Sequence, residues 1–217
     1  MSRMSVKTQH RSIAIWLFVM ILLVTAIIVI GGATRLTNSG LSITEWAPIR
    51  GALPPLSEAQ WIAEFEKYKK IPEFTAEHPD MDLAGFKFIY FWEWSHRQLG
   101  RLVGLVYALP FFYFLLKRKL PKESKWGYLA VLLLIGLQGA IGWWMVHSGL
   151  QEGMVSVSQY RLAIHLGMAF LILGILFWLF RGKIERPRSS LSFTGETSLY
   201  SPLAALAVGL VYLQVLA

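Results

Sequence analysis

Phe91-Trp92-Glu93-Trp94-Ser95-His96-Arg97-Gln98-Leu99-Gly100-Arg101-Leu102-Val103-Gly104 sets an acid, a histidine and two arginines at the head of a segment that then runs apolar to Leu116. Ionisable groups at the edge of a membrane-spanning helix are costly, usually face a protein interior or cavity, and by default mark a functional site. Glu93 and His96 are i, i+3, and His96 and Gly100 are i, i+4, so the three share one helix face. Gly100 and Gly104 add a small-xxx-small row, which admits a flat ligand or lets another helix approach closely.

The surrounding composition makes that segment one span of several. Of 217 residues 55% are hydrophobic and only 16% charged, too oily for an ordinary soluble domain. The apolar residues fall in long unbroken runs, so the fold class is an all-α polytopic membrane protein. Nine Trp and eight Tyr suit the membrane–water interface. A net charge of +8 invites a nucleic-acid partner, but the cations cluster in short loops between apolar runs, which excludes it. Cysteine is absent, leaving no disulfide, thiolate metal site or cysteine nucleophile. Any iron must be held by histidine, carboxylate or a weaker ligand.

The spacing predicts a four-helix transmembrane bundle plus the start of a fifth span. Residues 1–12 form a basic tail and 13–32 the first span, apolar from Ile13 to Ile30 apart from Thr25. At 1.5 Å per residue that run crosses a core of about 30 Å. Its basic leader is followed by no small-residue cleavage site, so it reads as an anchor and not a removed signal. Residues 33–91 are a long outer loop with a short amphipathic helix at Ser57–Lys70, Ser57 its N-cap and Trp61, Phe65 and Tyr68 on one face. Pro48, Pro54, Pro55, Pro72 and Pro79 punctuate the rest, and a loop of this length is usually functional, often a lid. Spans follow at 92–116, 126–146 and 162–180, joined by a basic loop (117–125) and an outer connection (147–161). A second basic loop (181–198) leads to a last apolar run, 199–217. That run ends the chain with no polar cap behind it, so the chain is expected to be truncated.

The tail and the loops at 117–125 and 181–188 carry twelve Lys and Arg against Glu123 and Glu185, which assigns them to the cytoplasm. The long loop and the 147–161 connection then lie outside, on the periplasmic face of a bacterial inner membrane. By this topology His96 and His165 sit at similar depth near the outer ends of two spans that run the same way. Two facing imidazoles in a helix bundle are the arrangement that holds a haem iron axially. Arg97, Arg101, Arg35 and Arg161 stand at the same level, where they could pair with propionates. Trp92, Trp94, Trp143 and Trp144 could wall such a pocket. Each residue also has a plainer role. Either histidine serves equally as an interhelical hydrogen-bonding group. The arginines serve as headgroup anchors, and Glu93 as a helix cap or an acid–base group. His147 reads as interfacial, His10 and His78 as solvated, and Gln138 as interhelical glue.

Several segments, in order, resemble the haem A synthase family. They are Gly31-Gly32-Ala33-Thr34-Arg35-Leu36-Thr37-Asn38-Ser39-Gly40-Leu41-Ser42, Phe86-Lys87-Phe88-Ile89, Glu93-Trp94-Ser95-His96-Arg97, Gly100-Arg101-Leu102-Val103-Gly104, Ser148-Gly149-Leu150 and Val157 to Gly167. The resemblance implies a membrane oxidoreductase acting on a CH group, oxidising the C8 methyl of haem O to a formyl to give haem A for cytochrome oxidase. It implies eight spans in two similar halves, of which this chain resembles the first plus the start of the fifth span. A haem b cofactor is expected mainly in the second half. By the same analogy His96 and His165 face haem O and Glu93 is the functionally important outer glutamate. Without cysteine, the chain is similar to the proteobacterial and mitochondrial branch. Expected partners are haem O, the bilayer, haem O synthase, an electron donor of unstated identity and a further copy of the chain. The alternatives are a b-type haem electron carrier and a non-catalytic haem-handling assembly factor.

Overall fold

The computed structural model describes residues 3–47, 49–121, 124–184 and 209. Pro48, Lys122, the loop beyond Ile184 with Arg186 and Arg188, and the expected fifth span at 199–217 lie outside the described residues. Within them the fold is all-α. Four long helices, α1 (Arg3–Leu36), α4 (Leu83–Leu116), α5 (Lys125–Gly149) and α6 (Gln159–Ile184), are joined by an outer segment carrying α2 (Glu58–Tyr68) and α3 (Pro72–Glu77). All four long helices are long and apolar enough to cross a membrane. Their outward faces expose Phe18, Leu22, Leu105, Leu109, Leu133, Leu171 and Phe177, a surface suited to lipid and not to water. The chain is a multi-pass membrane protein.

The helices are longer than the apolar runs that forecast them. Helix α4 begins at Leu83 and not at Trp92, because Asp82 caps it by accepting from the Gly85 amide at 2.8 Å. Its 34 residues span about 50 Å, more than the roughly 30 Å hydrocarbon core. The surplus first turns carry Phe86, Ile89 and Tyr90. These bury against Phe65 and Tyr68 of α2, with Trp61 and Phe74 alongside, to make a separate aromatic core outside the bundle. Phe65 stacks on Phe86 at 4.9 Å. Helix α2 is set by the expected Ser57 cap, which forms a capping box with Gln60. Helix α1 ends in a Schellman turn: Ser39 N–H reaches Thr34 O at 2.9 Å and Asn38 N–H reaches Arg35 O at 3.3 Å. Asn38 takes the left-handed conformation, φ 46°, that this motif requires.

Between helices in lipid there is little hydrophobic drive, so packing and interhelical hydrogen bonds must hold the bundle. Pro110 inside α4 cannot donate to the carbonyl four residues before it. That carbonyl, Val106 O, accepts instead from the indole of Trp16 on α1 at 2.9 Å. Tyr107 donates to Tyr128 O at 2.8 Å, tying α4 to α5. Trp16, Tyr107, Phe114 and Tyr128 form one aromatic cluster around these bonds. Trp16→Phe keeps an aromatic ring at the site but orphans Val106 O. It is expected to lower bundle stability by about 1–3 kcal/mol, read as a lower melting temperature in detergent. Trp16→Phe combined with Pro110→Ala, which restores a helical donor, is expected to recover most of that loss.

Helix α1 packs on α4 and α6, α5 packs on α6 and less extensively on α4. Helices α4 and α6 are therefore diagonal across the bundle, with α1 and α5 between them. This places two elements, each bearing a histidine, on opposite sides of one axis.

Candidate functional site

His165 of α6 lies near enough to His96 of α4 to act on its charge. Each ring lies against a glycine of the adjacent helix. A methyl added at Gly31 of α1 would stand 2.9 Å from His96 Cε1, and one at Gly142 of α5 would stand 2.9 Å from His165 Cε1. The Ile27 carbonyl of α1 lies close to the His96 ring. Gln138 Nε2 donates to the His165 carbonyl at 2.9 Å and lies 3.5 Å from His165 Nε2. Gln138 thus links α5 to α6, the interhelical role expected of it. Both Nδ1 atoms are buried without a hydrogen-bond partner among the described residues.

An unpartnered buried ring nitrogen loses the hydrogen bond it would make in water, at roughly 1–3 kcal/mol each. Two such nitrogens, on helices diagonal across the bundle, call for an occupant. One imidazole nitrogen engaged by the protein and the other free is the arrangement in which metal-ligating histidines are held. The donor set therefore fits an iron between the rings.

The polar residues around His96 do something the sequence does not disclose. Glu93 is 3% exposed, and both its oxygens are in use. Oε2 accepts from Ser42 Oγ at 2.8 Å and from Ile43 N–H at 2.7 Å, while Oε1 accepts from Arg97 Nε at 3.0 Å and from its Nη2. A carboxylate offers about four lone-pair sites, and all four are filled. Glu93 also stands well inside α4, so it does not cap the helix; Asp82 does. Arg97 donates further to Ile43 O at 3.0 Å, Gln98 to Gly51 O and Ala52 O at 3.0 Å each, and Arg101 to Ala47 O at 3.4 Å. One face of α4 thus clamps the outer segment from Ser42 to Ala52.

The four arginines do not converge. Arg97 and Arg101 sit together beside His96, each near enough to influence its neighbour. Arg161 donates to Trp144 O at 2.8 Å and lies over the Trp144 ring at 4.3 Å. Arg35 lines a different cleft, of about 230 Å³, between the end of α1, α3 and the 155–157 strand of chain. Of the tryptophans, Trp143 and Trp144 are exposed, and Trp94 packs against the outer aromatic core. His147 is exposed and bonded to Gln151 at 2.9 Å. His78, expected to be solvated, is half-buried and bonded to the Tyr68 hydroxyl at 2.8 Å.

Glu73, which follows Pro72 at the head of α3, has no signal in the sequence beyond an acid in a first helical turn. It is 5% exposed, with Oε2 buried and unpartnered. Burial pushes its carboxyl up to about 7 against the adjacent Tyr68 hydroxyl, with Glu93 and Glu77 adding to the rise. An acid whose folded pKa lies above its unfolded value stabilises the fold below the unfolded value and loses that contribution as pH rises through the folded one. The outer subdomain is expected to weaken between about pH 4.5 and 7, by up to about 3 kcal/mol. Glu73→Gln is expected to flatten that dependence. Amide hydrogen exchange across α2 and α3 at pH 5 and pH 8 measures it.

Residues 14–217 match the cytochrome oxidase assembly protein family. The haem A synthase of Paracoccus denitrificans is 52% identical over 216 residues, covering 97% of this chain and 55% of its own length. That of Ruegeria pomeroyi is 54% identical over 209 residues, covering 94% and 55%. That of Beijerinckia indica is 57% identical over 178 residues, covering 82% and 49%. The chain spans about half the length of the curated relatives it matches. No solved structure matches it. With a match that runs from the first span through every described helix of the bundle, the chain belongs to the cytochrome oxidase assembly protein family, as its haem A synthase signatures imply.

Proposed function

We propose that this chain carries the haem O site of a haem A synthase, which oxidises the C8 methyl of haem O to a formyl group and so provides haem A for cytochrome oxidase. The observation that carries it is the His96–His165 pair, seated across the bundle with an unpartnered nitrogen on each ring. The names and identities of the relatives support it. His96 and His165 hold the iron. Arg97 and Arg101, one turn apart on the helix that carries His96, are the cations proposed for the propionates. Converting a methyl to a formyl takes two successive hydroxylations and loss of water from the aldehyde hydrate, with the oxygen source and the electron donor supplied from outside these residues. The protein contributes orientation and electrostatics.

Glu93 in this account is a positioning residue and not the acid–base group first expected. Its filled oxygens hold Arg97 and the Ser42–Ile43 backbone in place. That saturation also favours a second reading, a haem-handling factor that binds haem O without oxidising it. The N-terminus is cytoplasmic and the histidine end periplasmic by the distribution of cations. Haem O synthase is the source of the substrate, and haem b is the cofactor proposed for the oxidation.

The test is to express the chain in membranes supplied with haem O, purify it, extract the haem and identify it by chromatography and mass. Haem A or its hydroxylated precursor establishes oxidation by this chain. Haem O retained unchanged supports the haem-handling reading. A folded chain without haem overturns the site.

A further inference from the structure

On the reading of His96 and His165 as iron ligands, we propose that Gly31 and Gly142 are their positioning residues: each is a seat on the neighbouring helix that sets the height of one imidazole. The two seats are equivalent. A methyl at Gly31 would meet His96 at 2.9 Å (Cε1), 3.3 Å (Nδ1) and 3.7 Å (Nε2). A methyl at Gly142 would meet His165 at 2.9, 3.4 and 3.6 Å from the same three atoms. Four residues before each glycine, on the same helix face, stands a polar group turned to the same histidine residue: the Ile27 carbonyl near the His96 ring, and the Gln138 amide, which donates to the His165 backbone carbonyl. Both glycines follow an isoleucine, Ile30 and Ile141. The α1–α4 hairpin and the α5–α6 hairpin therefore repeat one device, a glycine helix that carries the histidine of its partner.

Nothing stands within 4 Å of a methyl at Gly32, Gly104, Gly136, Gly139 or Gly174, and Gly100 would meet only Ile27 at an ordinary 3.7 Å. Gly85, Gly127 and Gly149 are crowded too, but by Met81 at 3.1 Å, Leu179 at 3.2 Å and Leu41 at 2.9 Å, and not by an imidazole. General packing thus does not require glycine at most of these positions. At Gly31 and Gly142 it is the imidazole that excludes a Cβ. Normal carbon contact begins near 3.5 Å, so an alanine would push each ring by about 0.6 Å. Metal–ligand distances tolerate about 0.2 Å. The displacement exceeds that tolerance, and the iron–imidazole bond is what it would break.

Ferric haem is titrated into the purified full chain in detergent, with optical and electron paramagnetic resonance spectra and a melting curve recorded for each variant. Wild type is expected to give a six-coordinate, low-spin, two-imidazole signature. G31A and G142A are each expected to lose it to a high-spin form, with affinity down about 10- to 100-fold, the range for lost supporting contacts at metal sites. Free imidazole should restore the low-spin signature in both. G32A and G139A are expected to match wild type. If G31A and G142A keep both signature and affinity while H96A loses them, the seats are overturned and the histidine site stands. If H96A and H165A also bind as wild type does, the site itself fails first. Should G31A not fold, the double variant G31A/H96G removes the clash. Refolding with a low-spin signature on added imidazole upholds the seat, and continued failure to fold overturns it.

Discussion

Replacing His96 or His165 by alanine is expected to strip haem O from this chain, with binding weakened more than about 100-fold, beyond the 10–100-fold typical of supporting residues. The physical case is that each ring offers a buried Nδ1 with no partner among the described residues. The plainer role makes a different prediction. If His165 merely joined α6 to α5, its loss would cost the bond with Gln138, yet Gln138 grips the His165 backbone carbonyl at 2.9 Å. That bond survives His165→Ala. Stability would then change by about 1 kcal/mol at most, and haem would be retained. Extracted haem per chain, beside the melting temperature, separates the two outcomes. Loss of haem with an unchanged melt identifies a ligand.

Breaking the Glu93–Arg97 pair is expected to have the largest effect on stability. Arg97→Ala leaves a carboxylate that is 3% exposed with its cation removed. Orphaning one partner of a buried pair typically costs about 3–5 kcal/mol. The outer segment from Ser42 to Ala52 should then come free, because Arg97 also donates to Ile43 O and Glu45 O. Amide exchange should rise there, while α5 and α6 stay protected. Glu93→Gln keeps the shape but places an amide N–H₂ where an acceptor is needed, so it should also loosen the loop, by less. Combining Glu93→Gln with Arg97→Gln removes both charges and should recover part of the stability. An acid–base role for Glu93 predicts something else: lost haem oxidation in Glu93→Gln with loop protection unchanged. Measuring exchange and product on the same variant decides which holds.

Much of the architecture is legible without coordinates because lipid imposes a simple rule. A segment that crosses hydrocarbon must satisfy its own backbone, so it is a long apolar helix and reads as one. The runs from Ile13, after Trp92, after Trp126 and after Leu162 each became a helix. Ser57 became the N-cap of α2 by local chemistry alone. Helix ends beyond the apolar runs were not legible, since Asp82 as a cap looks like any loop acid until Gly85 N–H bonds to it. The pairing of His96 with His165 was also within reach, because helix direction and depth follow from the order of spans.

What each polar side chain touches was decided only by the tertiary structure. Glu93, Arg97, Gln98 and Arg101 are one charged helix face in sequence, equally suited to propionates, headgroups or a loop. Their partners, Ser42, Ile43, Ala47 and Gly51, lie about fifty residues earlier and meet them only because α1 and α4 are antiparallel neighbours. Glu73 gains its raised pKa from burial in the folded outer segment, which no local pattern encodes. Gly31 and Gly142 look like ordinary packing glycines until an imidazole from the next helix is found against each. The chain by itself determined where the long apolar helices of the described residues lie and which residue types each carries, because those follow from local hydropathy and helix periodicity. The packing of one helix on another decided which of those residues clamp the outer segment and which glycines lie against an imidazole, because distance between side chains far apart in sequence exists only in the folded bundle.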